Sequence, residues 1–296
     1  MRVTQNMITN DLLRDISSNR NELAKIQNQV SSGLKVRLPS DEPAAFATSK
    51  GLEEQLARND EYQQAIQTGL SQSRVAQDSI DTMVDQMVDL KRITVHGAND
   101  KALEASDREA LADEVASIRE VMVDRLNANT DGRYLFAGTQ VNDAPFELDG
   151  TDVTYNGNND DLTVPVNDGM EVKVSLHGEE VTDFNGDNVF DMLDRIETAL
   201  RNNDDAAVKA ELDTVDDAVA HISSAGSNLG SRINQLEFTN EQFEVGNINL
   251  KSEVSRLVDT DYAESLSELQ KYQTAYQAAL SANADLLQTS LLNFLR

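Results

Sequence analysis

The sequence predicts a mainly α protein: a long helical rod with terminal coiled-coil helices and a small β-rich inserted domain. Three observations carry this reading. Apolar residues recur at heptad spacing through most of the 296 residues. Four prolines and 14 glycines are few for this length, which suits long uninterrupted helices. Glycine, asparagine and short β-prone runs gather in one stretch, residues 131–186.

The first helix is marked by Ile16, Leu23 and Val30 on one heptad track and Leu12, Asn19 and Ile26 on the other. From about Ala45 to Val95, residues such as Leu52, Leu56, Ile66, Leu70, Ile80, Val84 and Met87 keep the spacing. Gly97-Ala98-Asn99-Asp100 is expected to break that run. Ser106 followed by Glu109 reads as a capping box, opening a helix with Leu111, Val115, Ile118, Met122 and Leu126 on one face. Within residues 131–186, Asp152–Tyr155 and Glu171–Leu176 read as strands and Asn156-Gly157 as a hairpin turn. Val189 to Leu200 is a short helix. Asp205 to Val258 is a long one, irregular near Gly246. Asp259-Thr260-Asp261 then caps a terminal helix. That helix carries two heptad tracks, Leu269, Tyr276, Asn283 and Ser290 on one, and Gln273, Leu280, Leu287 and Phe294 on the other. The expected division is nested: residues 1–40 with 262–296 as a terminal assembly domain, 41–130 with 187–261 as a helical rod, and 131–186 as an outer β-rich domain.

Charge follows the same division. The chain has 25 Lys and Arg against 52 Asp and Glu, a formal net charge of −27. Residues 1–50 hold Arg2, Arg14, Arg20, Lys25, Lys35, Arg37 and Lys50 against Asp11, Asp15, Glu22, Asp41 and Glu42, and are slightly basic. Residues 262–296 hold Lys271 and Arg296 against Glu264, Glu268 and Asp285. Nearly all the negative charge therefore lies between the ends. Near-neutral ends can approach copies of themselves without strong repulsion, while an acidic middle suits a solvated surface. The balance argues against nucleic acid or an anionic membrane as a partner, because both need clustered Lys and Arg.

Candidate chemistry is sparse. Without cysteine there is no disulfide framework, thiolate nucleophile or Cys-ligated metal. His96, His177 and His221 are far apart and fit no metal-ligand spacing, so they read as solvated surface residues. Asp183-Phe184-Asn185-Gly186-Asp187-Asn188 has the wrong glycine position for a calcium loop and reads as a turn before a helix. No phosphate-binding glycine loop or nucleophile elbow occurs. The expectation is a protein that is no enzyme and takes no cofactor. The first twenty residues have no apolar signal core, and no run of about 18 apolar residues occurs, so neither a cleaved leader nor a membrane span is expected.

For the middle helices, periodic Leu and Ile read as an internal core. The terminal seams are interrupted by polar residues, and helices of that kind are marginal alone. They read as assembly surfaces: Leu12, Ile16, Leu23, Ile26 and Val30 at one end, and Leu269, Tyr276, Leu280, Leu287 and Phe294 at the other. A cytoplasmic coiled-coil scaffold would carry similar helices but would not need matched terminal seams.

Val30-Ser31-Ser32-Gly33-Leu34-Lys35-Val36, then Pro39-Ser40-Asp41-Glu42-Pro43-Ala44-Ala45, resembles the flagellin family. The Pro-Ser-Asp-Glu-Pro form is similar to that family's hook-associated branch rather than to its filament branch. So are Met1–Met7, Gly132–Thr139 and Ser290–Arg296. The resemblance implies a structural protein joining hook to filament, exported unfolded through the flagellar type III apparatus and assembled outside the cell. It implies as partners further copies in a ring, a neighbouring hook-associated protein, flagellin and an export chaperone. A short filament flagellin is the alternative within the family.

Overall fold

The computed structural model describes residues 5–99 and 104–294, and the side chains of these except residues 5, 6, 8, 9 and 285–294. In chain order the elements are α1 (Gln5–Ser32), α2 (Pro43–Asn99) and α3 (Ala105–Leu126), then β1 (Asn129–Thr130) and β2 (Arg133–Tyr134). β3 (Phe146–Asp149), β4 (Asp152–Tyr155), β5 (Thr163–Asn167) and β6 (Met170–Lys173) follow. Next come α4 (Gly178–Thr182), β7 (Asp183–Phe184), β8 (Asp187–Asn188), α5 (Val189–Arg201) and α6 (Asp205–Ala210). The chain ends in α7 (Leu212–Val258) and α8 (Tyr262–Phe294). The mainly α class with a small β-rich insertion is thus the observed one. Two compact units form, residues 59–245 and residues 1–58 with 246–296.

The larger unit has the core. Ile80, Met83, Met87, Leu90 and Ile93 of α2 meet Leu111, Val115, Ile118, Met122 and Leu126 of α3. Leu193 and Ile196 of α5 and Val215, Ile222 and Leu229 of α7 complete it. Each apolar stripe recurs every three or four residues, so each helix turns one face inward.

The described strands form four antiparallel hairpins, and their buried side chains join this core. Phe146, Leu176, Val181 and Phe184 are buried in the main cluster. Val164, Val166, Val172 and Val174 of the β5–β6 hairpin cover Ile66 and Leu70 of α2 and Leu236 of α7. Val172, Val174 and Leu176 are all buried, but β6 ends at Lys173 and Ser175 is buried as well, so the alternation expected of a half-buried strand over Glu171–Leu176 stops after Lys173. Tyr155 pins the module. Its hydroxyl lies 3.1 Å from the Phe136 carbonyl oxygen and accepts from the Gly178 N–H at 3.3 Å.

Four further local expectations are corrected. Asn156-Gly157 is not a turn, because β3 and β4 close at Asp149–Asp152 and the dipeptide follows β4. The Asn-Gly turn is Asn185-Gly186, where φ of 50° and 83° gives the mirror-image turn that joins β7 to β8. Gly97 lies inside α2 rather than ending it. A Cβ there would sit 2.7 Å from Leu200, so the glycine permits close helix contact. The capping pair of α3 is Glu104 with Asp107, not Ser106 with Glu109, and the Asp107 carboxylate accepts the Glu104 N–H at 3.2 Å. Finally, α7 runs unbroken past Gly246, and the interruption falls at Glu211. There Arg195 holds Glu211 at 2.9 Å and Asp187 at 2.5 Å. The paired guanidinium lowers the Asp187 pKa, and its own rises.

One ion pair is deep inside. Arg119, 3% exposed, donates to Glu197 at 2.6 Å. Removing the carboxylate would leave a buried cation without its nearest partner. Glu197→Ala should cost about 3–5 kcal/mol in chemical denaturation. Asp113→Ala, which removes an exposed partner of Arg201, should change stability by no more than about 0.5 kcal/mol.

Candidate assembly surface

The smaller unit is built from α1, α8 and the segments next to them. α1 ends at Gly33, whose φ of 75° reverses the chain, and whose N–H donates to the Gln29 carbonyl at 2.8 Å. A short extended segment follows and pairs with the chain leaving α7. The Lys35 N–H donates to the Val258 carbonyl at 2.7 Å and the Thr260 N–H to the Gly33 carbonyl at 2.8 Å. Val36, Ala45 and Val258 form a small buried cluster beneath this joint, with Leu34, Phe46, Val254 and Leu257 packed against it. The Asp41 carboxylate accepts the N–H groups of Leu38 at 2.9 Å and Arg37 at 3.1 Å, ordering the turn before α2. Those bonds favour its charged form and lower its pKa. Pro43 then opens α2, where its missing N–H is harmless. Asp261 caps α8, accepting the Ala263 N–H at 2.8 Å, as the Asp-Thr-Asp sequence predicted.

The joint sets the C-terminal end of α1 beside the N-terminal end of α8, and the two helices pack antiparallel. On α1, Leu12, Ile16, Asn19, Leu23 and Val30 are half-buried and Ile26 is buried, so the structure gathers all five named apolar residues on one stripe. On α8 the stripe is Ser265, Leu269, Tyr272, Tyr276, Ala279 and Asn283. Leu269 and Tyr276 belong to it. Leu280 does not: one turn after Tyr276 it sits on the flank of the seam, 45% exposed, and Gln273 on the same flank is exposed too. The side chains of Leu287, Ser290 and Phe294 lie outside the described residues.

The reason for the shift is arithmetic. Residues 273 and 280 stand four after 269 and 276, whereas 272 and 279 stand three after, and both sets are heptad neighbours. Leucine at 280 favours the first frame on hydrophobicity alone. The joint at Gly33–Thr260 and the cap at Asp261 precede the helix and fix its phase to the second.

This pair buries little. Among the described side chains of α1 and α8, Ile26 is the single apolar one that is fully buried, at 3% exposure. Leu13, Leu266 and Leu280 remain exposed. Sequence reasoning missed the cluster around Val36 and Val258. The two-residue alternation of Leu34 and Val36 just past Gly33 was the available signal.

Two of the three histidines are also placed differently from expectation. His177 caps α4, its Nδ1 accepting the Glu180 N–H at 3.2 Å, and His221 Nε2 lies 3.0 Å from the Glu180 carbonyl oxygen. Both are half-buried structural residues, while His96 is exposed on α2. Among the described residues, no group of three or more His, Cys, Asp or Glu could hold a metal ion. In that same set, no helix is long and apolar enough to cross a membrane.

A helical pair with a thin seam and exposed leucines defines a class of protein built around contacts, a structural component. Comparison with known proteins makes the class specific. The family model for the bacterial flagellin N-terminal helical region matches residues 3–141, and that for the C-terminal helical region matches residues 212–295. The chain belongs to the flagellin family. It is a structural protein of the flagellum and not an enzyme. It is 25% identical to flagellar hook-associated protein 3 of Escherichia coli over 98% of both chains. It is also 25% identical to flagellin of Bacillus subtilis over 100% of both. Its fold is similar to the crystal structure of the flagellar junction protein FlgL from Legionella pneumophila, with a TM-score of 0.61 and 16% identity over 72% of this chain and 100% of that one.

The joint generates two expectations. Gly33→Ala forces a side chain into the left-handed region and places its Cβ 2.8 Å from the Tyr262 hydroxyl, costing about 1–2 kcal/mol in thermal or chemical unfolding. For Asp41, the folded pKa lies below the unfolded one. Its contribution is therefore present above the unfolded carboxylate pKa and is lost as pH falls through the folded value. Asp41→Asn should remove that part of the acid dependence, and an NMR titration of the wild-type carboxyl should show a midpoint below that of a peptide spanning residues 37–45.

Proposed function

We propose that the chain is a subunit of the junction between flagellar hook and filament, joined to its neighbours through α1 and α8. The observation that carries this reading is the incomplete seam: two long helices that pack together, bury one apolar side chain fully and leave Leu13, Leu266 and Leu280 in solvent. Helices so thinly supported gain most by acquiring neighbours. The relatives named for the hook-associated position and for the junction, together with the Pro39–Pro43 segment, favour the junction over the filament. Residues 1–40 and 262–296 supply the assembly contacts, with Leu12, Ile16, Leu23, Ile26, Val30, Leu269 and Tyr276 holding the pair together. Leu280, Leu287 and Phe294 form the track that meets neighbours. The partners are a ring of copies, a second hook-associated protein on the hook side and flagellin on the filament side. Export runs through the flagellar type III apparatus, with the chain unfolded and accompanied by a chaperone, and assembly takes place outside the cell. A second reading, a short filament flagellin, draws on the full-length match to the Bacillus protein. It predicts unlimited polymerisation, where a junction subunit stops at a ring.

Two substitutions separate the seam from the outward track. Ile26→Asp loses about 1.5–3 kcal/mol of burial and places an unpaired charge in the seam, so α1 and α8 should come apart in the monomer. Leu280→Asp should leave the monomer's helicity and stability unchanged to within about 0.5 kcal/mol. In cells lacking the native chain, it should still be exported but should shed filament subunits into the medium. A Leu280→Asp strain that swims normally would remove that track from the assembly contacts.

A further inference from the structure

In a chain with twice as many acids as bases, most described cations lie against a carboxylate. Lys25, Lys35 and Arg37 do not: none has a carboxylate within ion-pair distance among the described residues, and all three are exposed. They converge on one groove of about 300 Å³ beside the joint, also lined by Leu34, Leu38 and Asp41. Asp41 keeps its charge while accepting the N–H groups of Arg37 and Leu38 and acts on Lys25 and Arg37, but one carboxylate against three cations leaves the groove positive on balance. Lys35 Nζ donates to the Arg256 carbonyl oxygen at 3.1 Å, a neutral partner that leaves its charge uncompensated. Leu38, 49% exposed, adds an apolar edge. The groove is thus a positive, partly apolar recess on a molecule of strongly negative net charge.

Two copies of such a molecule repel one another unless they meet where the sign reverses. A regular negative surface in the larger unit is on α2, where Asp78, Asp81, Asp85 and Asp89 are all exposed. Their spacing of three, four and four residues sets them in one ridge about 16 Å long. Arg92, 3.4 Å from Asp89, offsets one end only. We propose that the groove lined by Lys25, Lys35 and Arg37 receives the Asp78–Asp89 ridge of a second copy. The inference rests on the assembly reading above and adds to it a contact outside the α1–α8 seam, one that fixes which copies meet and in what register. Leu38 covers the side of the incoming helix, and the carboxylates replace water around the three cations.

Sedimentation velocity of the full chain tests this at about 50 mM and about 500 mM salt, since screening shortens the reach of exposed charges. Wild-type association should weaken at the higher salt. At low salt, Lys25→Glu with Arg37→Glu should lower the association constant by about tenfold or more, and Asp81→Lys with Asp85→Lys should do the same. An equimolar mixture of the two double variants should recover the wild-type value, because each reversed surface then meets its complement. Helicity should be unchanged, as all four side chains are exposed. If a reversal perturbs folding, the neutral pairs Lys25→Gln/Arg37→Gln and Asp81→Asn/Asp85→Asn should show the same loss, smaller and without rescue by mixing. Association indifferent to salt, or a mixture no better than either variant alone, would overturn the proposal. Loss in the groove variant but not in the ridge variant would also overturn it, placing the partner surface elsewhere on the second copy. A wild-type chain that stays monomeric throughout would instead refute the assembly reading itself.

Discussion

A pair of helices can bury one stripe on each partner and no more, and the smaller unit is governed by that limit. In α1 the stripe holds Asn19 among its aliphatic residues, and in α8 it holds Ser265, Tyr272, Tyr276 and Asn283. Tyrosine rings add contact area but keep a hydroxyl near water, and the two asparagines bury no apolar surface. The seam is enough to align the helices but leaves most of their surface wet. The larger unit is different in kind. There α2, α3, α5 and α7 share one cluster with the hairpins, and side chains such as Met83, Leu126 and Leu193 are wholly buried. One unit has a large core of its own, and the other has only the small cluster of Val36, Ala45 and Val258 beside a thin seam.

The joint between α1 and α8 turns this weakness into a defined geometry. Gly33, the Leu34–Asp259 bridge and the Asp261 cap fix where α1 ends, where α8 starts and how they are rotated. They do so with backbone hydrogen bonds and a small cluster around Val36 and Val258, which cost little core. The rotation decides which residues face inward and which stay in solvent. That is why Leu280, the most apolar member of its track among the described side chains, ends on the outside.

Much of this was legible in the sequence, and the exceptions share a cause. Long elements with strong periodicity were read correctly: the stripe of Leu111, Val115, Ile118, Met122 and Leu126 is buried as expected. The α1 stripe likewise needed only the spacing of Leu12, Ile16, Leu23, Ile26 and Val30. The Leu280 frame was misjudged because three-residue and four-residue offsets both satisfy a heptad, and only a contact from elsewhere selects one. Gly97 was read as a breaker because a lone glycine signals local freedom, whereas its partner is Leu200, about a hundred residues away. Asn156-Gly157 was read as a turn for the same reason. The β-rich insertion was legible from its Gly and Asn clustering, but not that Val164 and Val174 cover Ile66 and Leu70 of α2. Each error took a local signal where a distant contact decides.

The account's central claim is that residues 59–245 carry a self-sufficient core while α1 and α8 are completed by neighbouring copies. Amide hydrogen exchange on the verified monomer and on the assembled form tests it most directly. The account predicts slow exchange in α3, α5 and the 212–245 part of α7 in both states. In α1 and residues 262–284 it predicts fast exchange in the monomer, falling by orders of magnitude on assembly. Terminal helices as protected in the monomer as α3 and α5 would contradict it, because a seam that holds alone needs no neighbour.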